Sequence, residues 1–197
     1  WDLALTAKGL LDAALLLDER YHLVVTNVPY LSRGKHHDAL KAHCETQYPE
    51  AKNDLANVFL ERCLELSRNQ GAGVVQIVMP QNWLFMTSYR AQRESLLKRV
   101  QWNLLARLGE GGFDSPQAAG AFVILLTQTK VPAADSHRLL GLDASSFKGP
   151  DAKATQLLRC SLLALSQKGQ LGNANACVTL SDAVASVQRV EQFATSS

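Results

Sequence analysis

The chain has 197 residues, 47% of them hydrophobic and 19% charged, which is enough for one hydrophobic core and typical of a folded globular protein. Its formal net charge of +2 excludes a globally basic nucleic-acid-binding protein, so any such surface must be local. The apolar runs are too short to cross a bilayer, and no basic stretch leads into an apolar core at the N-terminus. Four cysteines without paired spacing favour free thiols in a cytoplasmic protein.

Apolar periodicity predicts an alternation of helices and strands through the first two-thirds of the chain. The predicted helices cover residues 3–17, 36–47, 54–67 and 89–99. The predicted strands cover residues 22–27, 74–79, 103–108 and 122–127. This alternation favours a mostly parallel sheet, with the first helix packed on a sheet face. The last two strands are separated by turn-forming residues, so we expect them to pair antiparallel.

The alternation is lost in residues 131–197, where helices are predicted over 151–162 and 181–193. The chain also begins without a methionine, and we interpret it as a piece of a larger protein.

A short β-prone run ends in an unusual group of side chains. Pro29 has no N–H to donate to a central strand, so the strand must stop near Asn27 and leave Tyr30 on the following loop. In an open α/β sheet this edge is where ligands bind. An amide that donates and accepts, next to a flat ring, suits a planar heterocycle with an exocyclic amine.

The segment Asn27-Val-Pro-Tyr30 resembles the Asn-Pro-Pro-Tyr signature of the DNA N6-adenine methyltransferases. Downstream segments resemble the same family in order and spacing: 54–61, 73–85, 108–113 and 121–126. The loop 31–35 carries a glycine and a lysine, as in the Eco57I-like and phage-defence (BREX-type) adenine methylases.

This resemblance implies an α/β fold with a partial Rossmann-like class I methyltransferase sheet and flanking helices. The sheet is expected to be mostly parallel with an antiparallel C-terminal edge. Residues 1–130 would form the C-terminal half of the catalytic domain, and residues 131–197 a mixed helical extension leading toward a target-recognition region. The implied cofactor is S-adenosyl-L-methionine. Most of its site is expected upstream, because the residues before Asn27 include a single glycine, Gly9, and no glycine-rich loop.

The resemblance also implies which residues act on the base. Asn27 Oδ1 and the main-chain carbonyl of Val28 would accept hydrogen bonds from the adenine amine, and Tyr30 would stack on the flipped base. The catalytic residues are therefore expected to be Asn27, Val28, Pro29 and Tyr30. Val28 stands where the family has proline, which changes the rigidity of the loop but keeps the carbonyl.

Phe113 occupies the position of a second aromatic for the base, although an ordinary core phenylalanine is an equally good interpretation. A local basic cluster follows the signature and is either a phosphate contact or a solvated face. Its members are Arg33, Lys35, His36, His37 and Lys41, of which Arg33 and Lys35 are the expected substrate-binding residues.

Two other sets of side chains are given less weight. The set His36, His37, His43 and Cys44 lacks the tight paired spacing of zinc ligands, so no metal site is predicted. Four basic residues of the predicted helix 89–99 are expected to face solvent: Arg90, Arg93, Lys98 and Arg99.

The favoured hypothesis is a fragment of a site-specific DNA adenine-N6 methyltransferase from a restriction-modification or phage-defence system, inactive by itself. Its expected partners are double-stranded DNA and the rest of the parent chain, with no membrane. One alternative is a catalytically inactive methylase-fold module for DNA binding or scaffolding. A third hypothesis, a methylase of RNA or of protein glutamine, is disfavoured by the length of the signature loop.

Overall fold

The computed structural model describes residues 2–70, 72–113, 120–180 and 186–189. The helices are α1 (Asp2–Asp18), α2 (Asp38–Gln47), α3 (Leu55–Leu66), α4 (Arg90–Arg99), α5 (Pro150–Arg159) and α6 (Gln167–Gln170). The strands are β1 (Leu23–Asn27), β2 (Val74–Pro80), β3 (Gln101–Gly109), β4 (Val123–Thr129), β5 (Arg138–Asp143), β6 (Ser161–Ser166) and β7 (Ser186–Arg189). Short 3₁₀ turns cover Arg33–Lys35, Asn82–Leu84, Thr87–Tyr89 and Ala174–Ala176.

The described strands form one sheet in the order β1-β2-β4-β3-β5-β6-β7. Strands β1, β2, β3, β5 and β7 run in one direction, and β4 and β6 run in the other. The predicted α/β fold with a mostly parallel sheet is therefore confirmed. The antiparallel pairing of β3 with β4 is also confirmed, but β4 lies inside the sheet, between β2 and β3.

The main core lies on the sheet face that α3 and α4 cover. Strand β2 alternates buried and half-buried residues, because its odd-numbered side chains point into this core and its even-numbered ones point to the opposite face. Trp83 and Trp102 meet there with ring centroids 5.6 Å apart. Because β1, β2, β3 and β5 run in the same direction, their carboxyl ends lie at one edge of the sheet.

Two caps decide where the helices after β1 begin. The side chain of Asp54 accepts a hydrogen bond from the main-chain N–H of Ala56 at 2.9 Å, so Asp54 is the N-cap of α3. His37 caps α2 by accepting from the N–H of Ala39 at 3.4 Å, so α2 begins two residues later than predicted. His36 is thereby left in extended backbone on the loop.

The predicted first helix exists as α1, but its described apolar side chains do not pack on a sheet face. Leu10, Leu15 and Leu17 are 69%, 57% and 57% exposed. Strand β1 is the outermost described strand at this side of the sheet. Val25 of β1 is exposed as well.

The region after residue 130 is less helical than predicted. Helix α5 matches the predicted helix 151–162 but ends at Arg159, because β6 begins at Ser161. Within the predicted helix 181–193, residues Ser186–Arg189 form strand β7, and the other residues lie outside the described part of the chain. Strand β5 pairs in parallel with β3, so the same sheet continues through this region.

All four cysteines are free, as predicted. The described residues include no helix with the length and apolarity that a membrane crossing requires.

Candidate active site

The signature segment lies at the carboxyl end of β1 with its side chains in alternating environments. Asn27, the last residue of the strand, is exposed, and so is Pro29. The side chain of Val28 is 5% exposed and packs in the main core. Valine thus fills a core position while the amide of Asn27 stays open to a ligand.

Tyr30 is half-buried and contacts two hydrophobic clusters, the main core and a smaller one at the carboxyl end of β3. Its hydroxyl is buried and has no hydrogen-bond partner among the described residues. Burial, with a smaller effect of the Asp54 carboxylate, raises the pKa of Tyr30 to about 12. The phenol therefore stays neutral and is held by packing, with only part of the ring available at the surface.

Phe113 packs on the same small cluster as Tyr30, which consists of Leu108, Val123 and Ala144. The chain reaches Phe113 through Gly109 and Gly111, whose φ angles of 66° and 71° favour glycine. The two aromatic residues predicted to hold the base are thus brought to one hydrophobic cluster, although 83 positions separate them in the sequence (113 minus 30).

The loop after Tyr30 is fixed by hydrogen bonds to the start of α3. The carbonyl of Leu31 accepts from the N–H of Leu55 at 2.9 Å, and the N–H of Arg33 donates to the carbonyl of Asn53 at 2.9 Å. His36, which is 4% exposed, donates from Nε2 to the same Leu31 carbonyl at 2.8 Å. A loop with this many bonds holds Tyr30 in a defined position.

The structure divides the predicted basic cluster. His36 is buried, and His37 is used as a helix cap. Arg33 forms an ion pair with Glu45, and this contact lowers the pKa of the Glu45 carboxyl. Lys41 lies 3.4 Å from Asp38, the neighbour of His37 in the chain.

Lys35 is exposed and has no ion pair with a described residue. Of the predicted substrate-binding cations, Lys35 is therefore free to meet a phosphate, whereas Arg33 must first exchange its carboxylate partner.

The described part of the chain contains no group of three metal-ligating side chains. Cys44 is fully buried against Ala51 and Val58, and the His36 side chain donates a hydrogen bond to the Leu31 carbonyl. Neither side chain is therefore positioned as a metal ligand.

Arg93 was predicted to face solvent, and this prediction is wrong. The side chain is 0% exposed and donates to the carbonyls of Ala176 at 3.1 Å, Met86 at 2.8 Å and Asn175 at 2.8 Å, and also to that of Trp83. Burial lowers the pKa of its guanidinium. Helical periodicity could not reveal this role, because the acceptors are main-chain carbonyls outside the helix, two of them more than eighty positions away.

The described residues before the signature do not fit the glycine-rich part of a nucleoside-cofactor site. Such a site requires a strand, a glycine loop and the N-terminus of a helix. Gly9 lies within α1 with nothing near it, and no described strand precedes β1.

The sequence matches the family described as Eco57I restriction-modification methylase over residues 6–113. Two curated relatives match about half of the chain. The adenine-specific methyltransferase PglX of Lacticaseibacillus casei (strain Zhang) is 30% identical over 116 residues, which are 58% of this chain and 9% of that protein. The adenine-specific methyltransferase BrxX of Escherichia coli O9:H4 (strain HS) is 33% identical over 103 residues, 52% of this chain and 8% of that protein. The matches thus span less than a tenth of either relative.

Among solved structures, the methyltransferase subunit of a type I restriction-modification system from Streptococcus thermophilus superposes with a TM-score of 0.55 and 16% identity, covering 82% of this chain and 39% of that chain. That similarity concerns the fold. The family match covers 108 of the 197 residues (6 through 113), including the signature, the fixed loop and Phe113. The chain therefore belongs to the Eco57I restriction-modification methylase family.

Proposed function

We propose that this chain forms the adenine-binding side of a DNA adenine-N6 methyltransferase in a restriction-modification or phage-defence system. The observation that carries the proposal is that Tyr30 and Phe113 pack on one hydrophobic cluster, with the exposed Asn27 three residues before Tyr30 in the chain. Membership of the Eco57I family and the relatives named as adenine-specific methyltransferases support the same reaction.

The proposed chemistry follows from the electronic structure of adenine. Its N6 amine is a poor nucleophile because the lone pair is delocalised into the ring. Acceptors placed against the two N–H groups favour a pyramidal nitrogen and stabilise the positive charge that develops on it. Asn27 Oδ1 supplies one acceptor and the main-chain carbonyl of Val28 the other.

Tyr30 and Phe113 would hold the ring of an adenine extruded from the duplex. Stacking on aromatic side chains contributes about 1–3 kcal/mol per base, which offsets much of the cost of unstacking. S-adenosyl-L-methionine supplies the methyl group when bound, and most of its site would come from residues outside those described here. Fixing Tyr30 through the loop 31–36 then contributes positioning, on which an in-line transfer depends.

The proposed partner is double-stranded DNA. Lys35 would contact a phosphate next to the extruded base, and Arg33 would do so after leaving Glu45. Val28 gives no reason to prefer an inactive module, since the role at this position belongs to a carbonyl and the valine side chain packs in the core.

The test is substitution in the intact protein. Asn27→Ala and Tyr30→Ala should each abolish the formation of N6-methyladenine, measured by mass spectrometry of nucleosides from digested DNA. Asn69→Ala, an exposed amide in the turn before β2, is the matched control and should retain activity. Unchanged methylation in both site variants, or methyl transfer only to RNA or peptides, would overturn the proposal.

A further inference from the structure

A second loop lies at the same sheet edge as the signature, immediately after β5. Ala144, the first residue after that strand, is fully buried in the cluster that Tyr30 and Phe113 share. The residues that follow it, 145–149, form the loop that leads into α5. Together with Glu110 and Gly111 they line a cavity of about 350 Å³. This loop lies outside the residues 6–113 that match the family.

The loop is held firmly against the end of β3. The N–H of Ala144 donates to the carbonyl of Arg107 at 2.9 Å. Lys153 of α5, which is 2% exposed, donates from Nζ to the carbonyls of Leu108 at 2.6 Å and Ala144 at 3.2 Å. These bonds join the ends of β3 and β5, so the loop keeps a fixed position relative to the cluster beneath Phe113.

Close approach adds to this constraint. A Cβ atom on Gly109 would lie 2.9 Å from the Cβ of Ser145, so a glycine is needed where β3 meets the loop. Ser145 itself is tied down, because its N–H donates to the Asp143 carboxylate at 2.8 Å.

The tip of the loop carries an aromatic ring and a cation at adjacent positions. Phe147 is 40% exposed, although the loop that carries it is anchored at its start. Lys148 is exposed and forms no ion pair with a described residue. Glu110 lines the cavity beside them, so an anion is expected at the outward amine of Lys148 and not inside the cavity.

The width of this edge can be expressed as a length of DNA strand. In the strand order β1-β2-β4-β3-β5, four spacings separate the end of β1 from the end of β5. At about 4.8 Å per spacing these strand ends lie about 19 Å apart. That distance corresponds to between five and six nucleotides, at about 3.4 Å per nucleotide of one DNA strand. Lys35 lies on the loop after β1 and Lys148 on the loop after β5, so each of these outer strands is followed by an exposed lysine.

We infer that the loop 145–149 is a second DNA-contact element, in which Lys148 binds a backbone phosphate and Phe147 packs against the strand beside the extruded nucleotide. This inference rests on the proposed function, because it takes DNA to be the ligand of the edge. It adds a contact on the side opposite Lys35, so that phosphates are held on both sides of the base that must leave the stack.

The experiment uses the intact protein and a fluorescein-labelled DNA duplex in which one adenine is mispaired, since a mispaired base costs less to extrude. Binding is measured by anisotropy over a series of salt concentrations. Lys148→Ala should weaken binding and reduce the slope of log K against log salt by about 0.9, the value for one lost phosphate contact. Lys98→Ala is the matched control, an exposed lysine on α4 that should leave the slope unchanged.

A second measurement isolates the ring. With 2-aminopurine in place of the mispaired adenine, Phe147→Ala and Phe147→Leu should both reduce the fluorescence of the extruded base. The leucine variant keeps apolar bulk and controls for folding, which is checked by thermal melting.

An unchanged salt slope for Lys148→Ala, or an equal change for Lys98→Ala, overturns the phosphate contact. Unchanged 2-aminopurine fluorescence in both Phe147 variants overturns the role of the ring. If the unsubstituted protein methylates adenine while these results are negative, this inference alone fails. If it neither binds the duplex nor methylates adenine, the proposed function fails with it.

Discussion

The imidazole of His36 donates a hydrogen bond from Nε2 to the carbonyl oxygen of Leu31 at 2.8 Å. Leu31 is the residue that follows Tyr30 of the signature. The same oxygen accepts the main-chain N–H of Leu55. His36, which the sequence placed in a cluster of possible phosphate contacts, therefore stabilises the loop 31–36 by a hydrogen bond within it. Its side chain is buried, and its Nδ1 has no partner among the described residues.

Replacing this histidine should destabilise the fold. His36→Ala removes a buried hydrogen bond and leaves a gap, so the free energy of unfolding should fall by about 1–3 kcal/mol in urea denaturation. His43→Ala, at an exposed position on α2 where the ring contacts only the edge of Tyr48, should change it by less than about 1 kcal/mol. Equal effects of the two substitutions would contradict the support that we assign to His36.

Tyr30→Phe separates the ring from its hydroxyl. Because the hydroxyl is buried without a described partner, its removal should leave the free energy of unfolding unchanged or raise it by about 1 kcal/mol. Adenine methylation should persist in Tyr30→Phe and disappear in Tyr30→Ala, since stacking needs only the ring. Tyr48→Phe is a useful comparison, because that hydroxyl donates to Glu65 at 3.1 Å. Loss of methylation in Tyr30→Phe would show that the hydroxyl acts in the reaction.

Arg93→Met should be among the most destabilising substitutions in the chain. It leaves several buried carbonyls without a donor, so we expect the free energy of unfolding to fall by at least about 3 kcal/mol in chemical denaturation. Arg90→Met on the same helix removes only an exposed pair with Glu94 and should cost less than about 0.5 kcal/mol. A small effect at Arg93 would mean that the segment 174–178 is held by other contacts.

Stability should fall in the alkaline range through Cys63. Burial raises the pKa of this thiol from its ordinary value of 9.0 to about 11 in the folded protein. The unfolded chain therefore loses the proton first. The contribution to stability is fully present below pH 9.0 and is lost as the pH rises toward 11.

Urea denaturation at a series of alkaline pH values should show this loss, and Cys63→Ala should make the dependence shallower. The ultraviolet absorbance of the thiolate gives an independent measure, as the difference between the unsubstituted protein and Cys63→Ala. Ionisation of the Cys63 thiol near pH 9.0 in the folded protein would contradict the raised pKa.

Local sequence signals located the first four strands and most of the helices, because these signals depend on nearby residues. The proline of the signature has no N–H to donate, and the structure ends β1 at Asn27. An apolar run marked β2, and the helical period of apolar residues that starts at Leu55 marked α3. The position of the signature at the carboxyl end of a strand followed from these signals alone.

Other features depend on contacts between distant residues, and the sequence did not reveal them. The burial of Arg93 requires carbonyls about eighty positions away. The continuation of the sheet through β5 and β6 requires the pairing of β5 with β3. A helical period and an alternating period are both visible within a few residues, whereas a pairing partner is not.

By itself, the sequence determined the α/β class, the end of β1 and the chemistry that the signature can offer, since each of these follows from side-chain type and local period. Only the tertiary structure decided which basic residues are free, which aromatic residues share a cluster and which loops meet at the edge of the sheet. The physical reason is that burial and pairing depend on distances in space, and strand order can bring residues into contact at any separation along the chain.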